Sequence, residues 1–458
     1  MNDRIAGILL IVTTLFVTLV EWRGGQIFGV AAGLCVLLFL ILETPYVPWS
    51  RRIFVIVGVA LFMAAILTRS DWLAMTQAAL GTAAFIAAFF TALACLRNAA
   101  ASSPSIETCG HFLAGQPPGR RYLALTAGGH LFGLVLNYGA LSLLGTLAEV
   151  NARREPNIEI RTHRMRRMLL AIQRGFVSTL TWSPLAFASA ISTTLVPGAE
   201  WADAAAVSFV SGFIMIGLGW ALDTIFKPRL SSPAPARVKP PGTWAVLVPM
   251  LTLLTILTLC VGAFHVATDI RAAVVVMPVV PAIALIWIGM QNRGGNPVRH
   301  MAERASAYTL ELPRYRSEIV LLVMAGFIGT LGSQLISPLI AASGFDLTAL
   351  PGWLILVSLV WLIPLTGLMG MNPILSVSLM APLLPHADAI GVTPTAIITA
   401  LTAGWALGGA SSPYTATTLL VGSIANVSAW RVGLGWNGLY TILCGIALSV
   451  WVVIVSLL

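Results

Sequence analysis

The chain has 458 residues, of which 58% are hydrophobic and only 9% are charged. Soluble domains carry about 25% charged residues, so this composition excludes a water-soluble globule and predicts a polytopic, all-α membrane protein with the lipid bilayer as its main partner. The net charge is +9, but the basic residues lie in short gaps between apolar runs. That pattern is typical of membrane topology, and we expect no nucleic-acid partner.

The first apolar run, residues 5–20, is followed by Glu21-Trp22-Arg23 without a small-residue cleavage site. We therefore expect a leading transmembrane helix over residues 1–25 rather than a removed signal peptide. A bilayer core requires about 20 apolar residues per helix. Twelve further runs are candidates: 26–42, 53–68, 73–96, 122–149, 169–196, 203–226, 243–264, 272–290, 318–341, 352–385, 393–425 and 432–457.

Basic residues decide how these runs cross the membrane. If every run crossed once, Arg97 and Arg121 would lie opposite the basic cluster of residues 153–167, against the positive-inside rule. The conflict disappears if 122–149 and 352–385 are re-entrant hairpins, entered from the cytoplasm and from outside respectively. This topology has eleven full spans, a cytoplasmic N-terminus, an external C-terminus, and 22 of the 26 basic residues in the cytoplasm.

A Pro-rich cytoplasmic linker, residues 227–242, divides the chain into halves at 26–226 and 243–458. Each half ends in three spans, a hairpin, a broken span (169–196 or 393–425) and a final span. Because the halves start on opposite sides, they form predicted inverted repeats. The broken spans align as RGFVSTLTWSP from Arg174 and AGWALGGASSP from Ala403, and each hairpin carries an asparagine, Asn137 or Asn372.

Four interruptions are predicted to form the functional site. Because serine caps helices and proline suits the first helical position, Ser183-Pro184 and Ser412-Pro413 are expected to begin half-helices. Half-helix N-termini converging at the midplane would bind an anion, and the carbonyl oxygens before each break would bind a coupling ion. The substrate-binding candidates are Asn137, Tyr138, Gly139, Ser183, Pro184, Asn372, Pro373, Ser411, Ser412, Pro413 and Thr415. The coupling-ion candidates are Asn137, Asn372, Thr181 and Gly409.

The alternative is that these small residues only allow close helix packing. Few ionisable residues lie near the site. His130 is either a packed neutral side chain or a proton carrier, and Asp223 is expected to be solvated at a cytoplasmic helix end. Arg174 is expected to snorkel to the cytoplasmic surface, so no Lys or Arg is predicted deep in a span.

Five scattered cysteines without a CxxC pair or a His/Cys cluster predict neither disulfide nor metal site, and no cofactor is expected.

From residue 26 to 457 the arrangement resembles the ion transporter superfamily, which includes divalent anion/sodium symporters and the large permease subunits of tripartite periplasmic (TRAP) transporters. The stretch GWALGGASSPYTATT from Gly404 is similar to the second broken span of that superfamily. The resemblance implies an elevator mechanism and a homodimer. Its Ser-Asn-Thr tip motif matches only at Asn137 and Asn372, so the coupling ion is open between Na+ and H+.

The leading hypothesis is an ion-coupled secondary transporter of a small organic anion of the carboxylate class in a bacterial inner membrane. One alternative is a TRAP-type permease, which needs a small membrane subunit and a periplasmic binding protein. A second is an intramembrane enzyme, for which HExxH, GxSxG and paired intramembrane aspartates are all lacking. A third is a passive channel, which would require a repeated polar ring along one pore.

Overall fold

The computed structural model describes residues 2–228, 230–231, 242–291, 297–344 and 346–458. The described residues form nineteen α-helices and no β-strand. In chain order they are α1 (Asn2–Arg23), α2 (Gln26–Glu43), α3 (Trp49–Thr68), α4 (Trp72–Ala101), α5 (Pro104–Ala114), α6 (Pro118–Leu136), α7 (Gly139–Arg153), α8 (Ile158–Val177), α9 (Phe187–Leu195), α10 (Trp201–Ile225), α11 (Val248–Thr268), α12 (Ala272–Gln291), α13 (Pro297–Glu311), α14 (Arg316–Ala342), α15 (Gly352–Leu368), α16 (Pro373–Met380), α17 (Pro394–Ser411), α18 (Ala416–Ala425) and α19 (Gly438–Ser456). Short 3-10 turns and one π-helix, Arg431–Trp436, lie between them.

Nine helices of the described part of the chain are long and apolar enough to cross a membrane, namely α1 to α4, α10, α11, α12, α14 and α19. The runs predicted as broken spans are each divided in two, into α8 and α9 and into α17 and α18. Nine continuous helices and two divided ones correspond to the eleven predicted spans. The chain is therefore an all-helical, multi-pass membrane protein.

Both predicted hairpins are pairs of consecutive helices that pack on each other, α6 with α7 and α15 with α16. The first helix of each pair also packs along the next divided helix, α6 on α8 and α15 on α17. A glycine allows each of these approaches. A Cβ at Gly175 would collide with the carbonyl oxygen of Thr126, and a Cβ at Gly404 would lie 2.7 Å from that of Leu359.

Helices α4, α14 and α17 each contain a long buried stretch. Residues 83–96 of α4 are all buried, and this stretch is rich in alanine, which lets neighbouring helices approach closely. Helix α4 packs on α12 and α14, while α14 packs on α16. Large exposed apolar side chains, such as Ile53, Ile56 and Leu67 of α3, cover the outer helices, as lipid contact requires.

Several segments expected as loops are helical. Helices α5 and α13 lie between predicted spans, and α8 begins at Ile158, eleven residues before the predicted start at 169. The basic cluster of residues 153–167 is therefore mostly helical, because only residues 154–157 separate α7 from α8. Most of the predicted Pro-rich linker, at positions 229 and 232–241, lies outside the described residues.

Candidate functional site

All four predicted interruptions are present. We call residues 137–138, between α6 and α7, the first tip, and residues 178–186, between α8 and α9, the first break. Residues 369–372, between α15 and α16, are the second tip, and residues 412–415, between α17 and α18, are the second break. Each interruption falls where glycine, proline or asparagine predicted it.

Contacts join the four interruptions into one group. A Cβ at Gly133, in the last turn before the first tip, would lie 3.3 Å from Cγ2 of Thr179 in the first break. A Cβ at Gly409, just before the second break, would lie 3.3 Å from Cδ1 of Leu180 in the first. The Ser412 hydroxyl in the second break donates a 2.6 Å hydrogen bond to the carbonyl of Gly367, in the last turn of α15 before the second tip. The four interruptions are therefore in contact with one another.

The two Ser-Pro steps have the same local geometry. The Oγ atoms of Ser183 and Ser412 accept hydrogen bonds from backbone N–H groups two residues later, at 3.2 and 3.3 Å. The carbonyl of each serine also accepts from the N–H three residues later, at 3.0 and 3.3 Å. This is a β-turn with proline in its second position, which is one of the positions that proline favours.

The prediction that Ser183-Pro184 and Ser412-Pro413 begin half-helices is therefore wrong. Helix α9 begins at Phe187 and α18 at Ala416, four residues after each serine, with Ala186 and Thr415 as the N-cap residues. The serine oxygens are used inside the turn, so they do not cap the helix.

The second tip begins a helix directly. Asn372 is the N-cap of α16, its side-chain oxygen accepts a 2.8 Å hydrogen bond from the N–H of Ile374, and Pro373 is the first helical residue. Gly370 has φ of 95°, and a Cβ there would lie 3.9 Å from the ring of Tyr414 in the second break. The second tip and the second break thus pack directly on each other.

Threonines of α18 satisfy the carbonyls that end α17. The Thr417 hydroxyl donates to the carbonyl of Gly409, and the Thr418 hydroxyl donates to that of Ser412 at 2.6 Å. Thr415 also donates to the Ser412 carbonyl at 2.9 Å, while Ser411 donates to Leu407 in its own helix at 2.8 Å. The second break is therefore a compact cluster of hydroxyl and carbonyl oxygens, the ligand type that alkali cations prefer.

The first tip has a strained backbone. Asn137 has φ of 51° and ψ of −131°, a combination normally restricted to glycine. Within the described residues its side-chain amide makes no hydrogen bond, although it is half-buried. Tyr138 packs 5.4 Å from Phe176, and a Cβ at Gly139 would lie 3.2 Å from Nε of Arg97 in α4. An observed strain with a free polar side chain is typical of a functional position.

Further polar groups lie in and just after the first break, outside the predicted set of site residues. Nε1 of Trp182 and the hydroxyls of Ser189 and Ser192 in α9 have no partner among the described residues, and both serines are at most 3% exposed. The predicted ligand Thr181 donates to the carbonyl of Ser178 at 3.0 Å. No sequence signal marked the two serines, because Thr193 and Thr194 follow them directly and hydroxyl residues are frequent in membrane helices.

The outer side of the first break faces α11. Ser183 and Pro184 line a small cavity of about 40 Å³ together with Leu254 and Leu257 of that helix. His130 of α6 forms a 2.8 Å hydrogen bond with the Ser178 hydroxyl at the start of the break. His130 is therefore a packed side chain with a hydrogen-bond partner. This agrees with the structural one of the two interpretations that its sequence position allowed.

Arg174 does not snorkel to the surface. It is 5% exposed and donates to Oδ1 of Asn437 at 3.0 Å and to the Tyr122 hydroxyl at 3.2 Å, while its guanidinium lies 4.4 Å from the ring centre of Tyr440. Nδ2 of Asn437 in turn donates to Gln173 at 3.0 Å. Arg174 is therefore a buried cation, held by Tyr122 of α6 and by Asn437 just before α19.

These features define the class: a polytopic membrane protein in which two helix pairs and two divided helices bring four interruptions together. In the described residues no group of three or more His, Cys, Asp or Glu side chains could hold a metal ion. The polar atoms available to a ligand are hydroxyls, carbonyls, amides and helix N-termini.

Solved transporters share this fold. The chain is similar to the Alcanivorax borkumensis YdaH transporter, whose crystal structure is described as having an unusual topology, with a TM-score of 0.57, 17% identity, and coverage of 89% of this chain and 99% of that one. It is also similar to Neisseria gonorrhoeae MtrF, described with a class of antimetabolite efflux pumps, with a TM-score of 0.56, 16% identity, and coverage of 90% and 96%. No family model and no curated protein matches the sequence.

Proposed function

We propose that this chain is an ion-coupled secondary transporter of a small organic anion, of the carboxylate class, in a bacterial inner membrane. The observation that carries the proposal is the contact of the four interruptions, with donors that lack a partner among the described residues at the first break and oxygen atoms clustered at the second. Irregular backbone at membrane depth is tolerated only where protein or an aqueous cavity surrounds it. The likeness of fold to two transporters supports the same function.

The substrate carboxylate is proposed to bind at the first break. There the N-terminus of α9 carries partial positive charge, and Ser189 and Trp182 offer buried donors without a partner among the described residues. The coupling ion is proposed to bind among the oxygens of the second break, around Ser412 and Thr415. Asn137 and Asn372 remain the predicted tip ligands, which the free amide of Asn137 supports.

The two halves are proposed to be inverted repeats. In support, Ser183 and Ser412 form the same turn at the same distance before a helix, and Gly175 and Gly404 make the same approach to the preceding helix pair. The proposal includes the elevator mechanism, in which the helix pairs and divided helices, α6–α9 and α15–α18, move against the remaining helices. Contacts between the two groups include small residues, such as Gly329 of α14 against Ser378 of α16, which allow the helices to approach closely.

Transport by the purified protein tests the proposal. Proteoliposomes holding this chain alone should accumulate at least one radiolabelled carboxylate from a screening panel when a Na+ or an H+ gradient is imposed separately, and should lose accumulation when that gradient is collapsed. Preloaded vesicles measure export in parallel, because MtrF, one of the two similar transporters, is described with efflux pumps. Protein-free liposomes are the control.

The proposal would be contradicted if folded, monodisperse protein transported no carboxylate and no inorganic anion in either direction. Transport by the chain alone would contradict the TRAP-type alternative, which requires two further components. The homodimer remains a prediction.

A further inference from the structure

A second polar cavity lies apart from the four interruptions. It has a volume of about 350 Å³ and lies between the start of α6, the basic first half of α8, the end of α10 and the chain just after α10. This volume is within the range of small-ligand pockets. None of the predicted substrate or ion ligands lines it, and its inner wall is Tyr122, whose hydroxyl binds Arg174.

The cavity carries excess positive charge. Arg121, Arg164, Arg167 and Lys227 line it, and Asp223 is the lining carboxylate found among the described residues. Both oxygens of Asp223 are held by Arg167, at 2.6 and 2.8 Å, so Asp223 is paired and the prediction that it is merely solvated is wrong.

Two of the cations lack a counter-charge. Arg164 pairs with Glu155 at 2.9 Å. By contrast, no carboxylate in the described part of the chain lies within ion-pair distance of Arg121 or Lys227, and Nε of Arg121 donates only to the backbone carbonyl of Gln116 at 2.7 Å. Cations grouped in a half-enclosed cavity attract a compact polyanion more strongly than cations spread over an open surface.

The cavity also opens toward the apolar surface. Leu123 and Trp220 line it while remaining 46% and 48% exposed, and Ile225 and Phe226 continue the exposed apolar face at 71% and 65%. Tryptophan beside arginines at a helix end is typical of the membrane interface, where phospholipid phosphates lie. A ligand bound here can place its anionic group among the arginines and its apolar part along α6 and α10.

We propose that this cavity binds a phosphate group at the cytoplasmic face of the membrane, with the headgroup of an anionic phospholipid as the source that the apolar rim favours. The basic lining matches the pockets between membrane helices that hold phosphorylated lipid headgroups. The site is independent of the transport substrate, so it stands even if the proposed transport function fails.

Native mass spectrometry of the full-length protein in neutral detergent tests the site with phosphatidylglycerol as the probe and phosphatidylcholine as the neutral reference. Binding of phosphatidylglycerol should weaken about tenfold in Arg121→Gln/Lys227→Gln. Arg120→Gln, which makes the same charge change one residue away but outside the cavity, should bind within twofold of the wild type. Lys227→Gln alone should weaken binding about threefold, and because Lys227 is exposed this variant folds even if the double variant does not.

Soluble glycerol phosphate and inorganic phosphate, titrated in a thermal-shift assay, identify the source. If these soluble phosphates raise the apparent Tm of the wild type but not of the double variant, a soluble ligand fills the phosphate site. If phosphatidylglycerol binds and the soluble phosphates do not raise the apparent Tm, the lipid headgroup fills it. Two results would overturn the site. One is that the double variant or Lys227→Gln binds phosphatidylglycerol with the affinity of the wild type. The other is that the wild type prefers no phosphate anion over phosphatidylcholine.

Discussion

Replacing Asn137 with glycine should reduce transport at least tenfold while leaving the protein as stable as the wild type or more stable. Asn137 has φ of 51° and ψ of −131°, which costs an L side chain about 1–3 kcal/mol and glycine almost nothing. Its amide makes no hydrogen bond within the described residues, so its removal breaks no internal contact. The remaining function of such a side chain at the first tip is to bind a ligand. Asn137→Leu should also abolish transport, because it removes the amide and adds bulk.

Asn426 offers a matched control for this experiment. It also has a positive φ, 53°, but it lies at the C-terminal end of α18, away from the interruptions. Asn426→Gly should preserve transport of the carboxylate that the wild type moves. Stability is measured as the apparent Tm of detergent-purified protein, and transport in proteoliposomes. Transport by Asn137→Gly within twofold of the wild type would show that the amide is not a ligand.

Gly175→Ala and Gly404→Ala should each destabilise the protein by about 1–3 kcal/mol and abolish transport. An added Cβ at either position meets a backbone carbonyl, of Thr126 or of Leu359, which cannot move without separating the helix pair from the divided helix. The tip that the helix pair carries would then shift away from the breaks. Lower apparent Tm and loss of monodisperse protein in size-exclusion chromatography are the expected observations.

Gly217→Ala is the control for the glycine variants. Gly217 lies in α10, and a Cβ there meets nothing within 4 Å, so alanine should be neutral or stabilise the helix by up to about 1 kcal/mol. Equal stability of Gly175→Ala, Gly404→Ala and Gly217→Ala would contradict the proposed docking of helix pairs on divided helices.

The interruptions could be predicted from the sequence because proline and glycine disrupt helices locally. The starting points of the half-helices could not be predicted, because a Ser-Pro pair permits more than one structure, and Ser337-Pro338 even lies inside α14. At Ser103-Pro104 and at Thr393-Pro394 the pair does begin a helix, α5 or α17. At Ser183-Pro184 it forms a β-turn that delays α9. Tertiary packing around the break decides between the two.

The buried position of Arg174 was also unpredictable, but for a different reason. Hydropathy places it near a span boundary, where snorkelling is the usual outcome. Its partners Tyr122 and Asn437 are 52 and 263 residues away in sequence, so their convergence depends on the complete fold. Ser189 and Ser192 were missed because hydroxyls are frequent in membrane helices, and only their lack of partners among the described residues distinguishes them.

Cysteine labelling of the two helix pairs tests most directly the claim that both are re-entrant and opposite in orientation. In a cysteine-free background, Arg120→Cys and Arg154→Cys flank the first pair, and Ala349→Cys and Ala389→Cys flank the second. With a membrane-impermeant maleimide, the first two should react only from the cytoplasmic side and the last two only from the outside. Reaction of the two members of either pair from opposite sides would show that the pair crosses the membrane, and would contradict the shared site and the transport function built on it.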